Sequence, residues 1–93
     1  MIKDREIIMV NAASAALEYK SKHPRGWDDD AIAHVLKSLD SEPKLKVYGI
    51  AAASEVLNLR KEPLNHNLTD KQILQLFVDN IFTFIAKIDE NVK

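Results

Sequence analysis

The stretch TDKQILQLFVDNIFTFIAKID, Thr69 to Asp89, decides the fold class. Ile73, Phe77, Ile81, Phe84 and Ile88 recur at helical spacing and are flanked by Leu74, Val78 and Ile85, which makes one broad face apolar. Thr69 and Gln72 have the spacing of a capping box, in which each residue satisfies an orphan N–H of the other. Leu68 and Ile73 form the matching hydrophobic staple. The pattern predicts a single helix over residues 70–89.

Three more helices follow from the same reasoning upstream. Residues 3–22 carry a polar stripe of Asp4, Asn11, Ser14, Glu18 and Lys22 on an otherwise apolar surface, and Pro24 and Gly26 stop the run. Ile32, Val35, Leu36 and Leu39 define a helix over 29–39. Asp28 is expected as its N-cap, Asp29 and Asp30 complement the helix dipole, and Trp27 is expected to staple onto Ile32. Pro43 suits the first turn of a helix over 43–60. Leu45, Tyr48, Ala52, Val56 and Leu59 line one face of that helix, and Ile50, Ala53 and Leu57 form a second stripe. Two apolar stripes imply neighbours on two sides and hence a central helix.

A weak internal echo appears at an offset of 40 residues, where Val10–Leu17 lines up with Ile50–Leu57. Small residues at mid-helix in both stretches allow two backbones to approach closely, so the first and third helices are expected to be neighbours. The expected architecture is one all-α domain over residues 1–93, an antiparallel four-helix bundle joined by short connections. A chain of this length has room for one hydrophobic core. The competing arrangement is two HEAT-like helical hairpins, because LDSEPKLK, Leu39 to Lys46, followed by Ala51-Ala52-Ala53, resembles the turn and second helix of a HEAT repeat. Gly49 and Ile50 stand where that repeat's small-residue pair would fall. Repeat arrays generally need about three units, and this chain has room for two.

Composition narrows function by exclusion. Hydrophobic residues make up 46% of the chain and charged residues 29%, too apolar for a disordered segment. The absence of cysteine removes disulfides and thiolate metal sites. A net charge of −1 gives no broad attraction to nucleic acid or anionic lipid, so neither partner is expected. The short apolar run Ile7–Val10 makes neither a signal peptide nor a membrane span, and a cytoplasmic location is expected.

Residues with catalytic or metal-binding chemistry are few and scattered. His23, His34 and His66 have no second histidine at i+3 or i+4, the pattern a zinc or di-metal site on a helix requires, so no metal and no cofactor are expected. His34 is expected to face solvent, and His23 to sit at a helix C-terminus where the dipole favours it. Asp28, Asp29 and Asp30 lack the alternating ligands and central glycine of a calcium loop. No catalytic residue is assigned.

Two surface features carry functional expectations. Lys20, Lys22, Arg25, Arg60 and Lys61 follow the first and third helices and would share one end of an up-down bundle. They are candidates for an anion or acidic-partner patch, or for cations that complement helix C-termini beside Asp28. Trp27, Leu76 and Phe82 are large apolar residues off the main faces and are candidate interface residues.

The reading is therefore a non-catalytic helical interaction module that binds protein, including a second copy of itself. Three alternatives stay open. The length, the four-helix organisation, the Leu39-Asp40-Ser41 turn and the Leu68-Thr69 start before Ile73 are similar to immunity proteins of the pediocin type. That resemblance implies an inhibitor, of the immunity or antitoxin kind, that binds a protein partner; no functional residue is carried over from it. A helix-turn-helix regulator would lead its recognition helix with Lys44, Lys46 and Tyr48. A metal-binding or enzymatic helical bundle is the third.

Overall fold

The capping box at Thr69 is in place in the computed structural model, which describes residues 4–39 and 43–92. Thr69 Oγ1 accepts the Gln72 backbone N–H at 3.2 Å, and Gln72 Oε1 accepts the Thr69 backbone N–H at 2.8 Å. Leu68 is half-buried against the core, to which buried Ile73 belongs. Thr69→Ala is expected to cost about 1 kcal/mol, read as a lower midpoint in urea unfolding with an unchanged slope.

The described residues form an all-helical, compact unit. In chain order the helices are α1 (Asp4–Lys22), α2 (Asp28–Ser38), α3 (Pro43–Lys61), α4 (Asp70–Asp79) and α5 (Ile81–Val92), with one 3₁₀ turn at Pro63–Asn65. The turn Asp40-Ser41-Glu42, which the HEAT-like reading uses, lies outside the described residues, as do Lys3 and the side chain of Lys44. No described helix is long and apolar enough to cross a membrane.

Two expectations need correction. The helix expected over 70–89 is two helices, broken at Asn80, whose backbone sits at φ −113° and ψ 14°. There the Asn80 N–H turns to Phe77 O at 3.1 Å, its side-chain amide donates to Leu76 O at 2.9 Å, and its carbonyl accepts from Thr83 and Phe84. One asparagine thus ends α4 and starts α5, with no glycine or proline needed.

The second correction concerns α2. Its N-cap is Trp27, whose side chain makes no capping bond, and Asp28 is the first helical residue. Trp27 is 79% exposed, so its ring does not fold down over Ile32. Asp28, Asp29 and Asp30 do occupy the first turn, where the dipole favours them.

The expected central position of α3 holds, for it touches every other helix and the 3₁₀ turn. Its largest interface is with α1. Met9, Ala12, Ala13, Ala16 and Leu17 are buried on α1; Gly49, Ala52, Ala53, Val56 and Leu57 are buried on α3. Each of these five positions matches its counterpart at the offset of 40 seen in the sequence. The approach is tight at Gly49, where an added Cβ would lie 2.6 Å from Leu39 Cδ1 and 3.2 Å from Ile8 Cγ2. A mid-helix glycine costs about 1 kcal/mol in propensity, and here it keeps α3 close to α1 and to the end of α2. Val35, Ile73 and Phe77 close the core around this seam, and Phe77 stacks on Phe84 with centroids 5.2 Å apart.

Candidate functional site

The ends of α1 and α3 meet the start of α2 through Asp28. As the first residue of α2, Asp28 presents its carboxylate to both helix C-termini: Lys20 approaches Oδ1 at 3.2 Å, and Lys61 pairs with Oδ2. Lys20 also donates to the Gly26 carbonyl, which ties the α1–α2 connection to the same point. Arg60 reaches Asp70, the first residue of α4, at 3.8 Å. The α1–α2 and α3–α4 connections thus each pair a cation in the last turn of one helix with an aspartate in the first turn of the next, the charge order both helix dipoles favour.

The sequence-predicted cations do share one end, and most of them are neutralised there. Lys20 and Lys61 are paired with Asp28, Arg60 with Asp70, and Lys22 with Glu18 at 3.1 Å; Arg25 is exposed. Lys20, Gly26, Trp27, Asp28, Asp29 and Lys61 line an open cleft of about 420 Å³, whose charges largely cancel. This geometry suits cross-linking of helices better than capture of an anion.

Burial pushes the Asp28 carboxyl up, yet the hydrogen bonds and positive charge of Lys61 and Lys20 together outweigh it and hold the group below its ordinary value of 3.8. A carboxylate held low in the folded state stabilises that state above its unfolded-state pKa, and the contribution fades as pH falls through the lowered folded value. Asp28→Asn is therefore expected to lower the urea midpoint at pH 7 and to flatten its decline below about pH 4. Equal acid sensitivity in both proteins would contradict the pairing.

A second polar junction lies at the opposite end of α3. Tyr48 donates to Asp89 Oδ1 at 2.6 Å, Arg5 approaches Asp89 Oδ2 at 3.5 Å, and the Arg5 guanidinium sits 5.8 Å from the Tyr48 ring centre. Its bond to Asp89, followed by desolvation, raises the Tyr48 phenol above its ordinary 10.0, against the opposing pull of Arg5. This junction ties the starts of α1 and α3 to the last turns of α5. Its residues are 41 or more positions apart along the chain, a separation that offers no local sequence signal.

The histidines lie elsewhere. The Tyr19 ring contacts His23 at 4.5 Å and His34 at 5.0 Å between centroids, an aromatic cluster across α1 and α2 that the sequence reading did not anticipate. His34 is solvent-exposed, as expected, but rests on Tyr19. His66 is exposed in the connection after the 3₁₀ turn. Among the described residues no three His, Asp or Glu side chains gather as a metal site.

The candidate interface residues separate in the structure. Trp27 and Phe82 are 79% and 72% exposed, whereas Leu76 is half-buried. Leu64, in the 3₁₀ turn, is 91% exposed and was not singled out by periodicity, because it belongs to no amphipathic helix. Tyr48, a candidate lead residue of a recognition helix, is engaged by Asp89. Compared with protein-family profiles, curated proteins and solved structures, the chain matches none of them.

Proposed function

We propose that this protein is a non-catalytic helical interaction module of the cytoplasm that binds another protein chain, first of all a second copy of itself. In this reading its helices form an antiparallel four-helix bundle, with α4 and α5 together as the fourth helix. The observation that carries the reading is the exposure of Trp27, Phe82 and Leu64, well beyond that of the other exposed large hydrophobics, Ile7, Leu36 and Val47. Covering a Phe or Trp side chain releases about 2–3 kcal/mol, and tryptophan is prominent among residues that dominate interfaces. The bundle is supported by the pairing of Lys20 and Lys61 with Asp28 at one end and of Arg5 with Asp89 at the other. A chain without cysteine suits a reducing compartment.

Sedimentation velocity and native mass determination across a concentration series test the proposal. The wild type is expected to associate, and Phe82→Ser combined with Trp27→Ser to weaken association at least about tenfold, the equivalent of 1.4 kcal/mol. A monodisperse wild-type monomer up to about millimolar concentration, a dissociation constant worth only about 4 kcal/mol, would reject self-association. Saturable binding to a purified foreign protein, abolished by the same substitutions, would move the reading to the inhibitor class.

A further inference from the structure

We infer that α5 is an exchangeable arm, which opens at Asn80 and docks on the body of a second copy of this chain. The inference rests on the self-association proposed above and names its route. The arm has an apolar face, Ile81, Ile85 and Ile88, that is buried against the body, and a polar tip, Asp89, that is held by Tyr48 and Arg5. The socket for such an arm is present on every copy, so the contacts α5 makes within one chain are available unchanged between two. Exchange of an identical element is for that reason a low-cost route to a dimer.

Opening uncovers Ile81, Ile85 and Ile88 and separates Phe84 from Phe77, contacts the second copy restores, while the hinge itself adds little to the cost. In a continuous helix the Leu76 carbonyl would accept the backbone N–H of Asn80, four residues on. In the structure that acceptor is occupied by the Asn80 side-chain amide at 2.9 Å, while the backbone N–H turns to Phe77 O at 3.1 Å. Straightening therefore replaces a side-chain bond with a backbone one and leaves no carbonyl of that turn without a donor. The apolar pattern runs through the break without a glycine or proline, so a continuous helix from Asp70 to Val92 is compatible with every residue in it. Phe82, two residues past the hinge, is 72% exposed and so is free to meet a second copy.

The test uses the full chain. Asn80→Ala removes the side-chain donor and favours the continuous helix; it is expected to tighten dimerisation at least about tenfold by sedimentation. Asn80→Gly keeps a helix-ending residue and is expected not to tighten it. A charge exchange then identifies the swapped element. Chains carrying Asp89→Arg and chains carrying Arg5→Asp each mismatch their own tip. Refolded together, they restore both ion pairs only by exchanging arms, and heterodimers are expected well above the statistical half in native mass spectra.

Tighter dimers for Asn80→Ala with preferential heterodimers establish the arm. If Asn80→Ala does not tighten association, or if the charge-exchanged chains mix statistically, the arm is not exchanged. A wild-type dimer that is still sensitive to Phe82→Ser would then leave the proposed function standing without this route.

Discussion

Phe77→Ala is expected to destabilise the fold by about 3–5 kcal/mol, the range for truncating a fully buried phenylalanine. Phe77 is the largest completely buried side chain, at 0% exposure, and it stacks on Phe84, so truncation opens a cavity and removes a ring contact together. Against a total stability of about 5–15 kcal/mol, the variant would be near the limit of folding at ambient temperature. Thermal unfolding followed by circular dichroism checks this, with a midpoint at least about 12 °C lower expected for a domain of this size. Phe82→Ala supplies the contrast: the same chemistry at a 72% exposed position should change stability by no more than about 0.5 kcal/mol. Equal losses in the two variants would contradict the burial pattern.

The second large effect comes from adding volume. Ala53 is 0% exposed and lies one turn beyond Gly49, on the stretch of α3 that approaches α1. Leucine there cannot escape to solvent and must push the two helices apart, at a cost of about 3 kcal/mol, the upper part of the range for overpacking. Asn58→Leu, on the exposed surface of the same helix, should be close to neutral. Denaturant midpoints of the two variants decide the point, because both are leucines in the same helix and differ in which face receives them.

Much of the fold was legible because its signals are local. The Thr69–Gln72 box lies within one helical turn and needs no tertiary partner. The alanines at 12, 13, 52 and 53 announce a close approach whatever the route by which the helices meet. Two apolar stripes on α3 can be satisfied only by two or more neighbours, and it has them.

What was not legible depends on competition between alternatives of similar energy, or on contacts across the chain. Asn80 is compatible with a continuous helix and with a break, and tertiary packing of Phe77, Ile81 and Phe84 selects between them. Asp28 is an excellent N-cap in isolation, but two lysines from other helices draw it into the first helical position. The Tyr19–His34 contact and the Arg5–Asp89–Tyr48 junction join residues whose spacing carries no periodic signal. Leu64 gives no periodic signal, because a three-residue turn has no apolar face to repeat.

The shared register of α1 and α3 has a consequence for symmetry. The two helices run in the same direction, since Lys20 and Lys61 from their last turns both reach Asp28, and their buried positions coincide after a shift of 40 residues. Parallel helices facing each other in one register are related by an approximate two-fold axis, so the core has the form of a hairpin dimer written into one chain. Met9 and Gly49 are the counterparts that depart most from this axis, one large and one without a side chain. A side chain at 49 would meet Leu39 and Ile8, so at this pair the two sides of the seam are not interchangeable. Paired substitutions at Ala12 with Ala52 and at Ala13 with Ala53 are expected to be non-additive where the two positions share the seam, and the coupling would locate the axis.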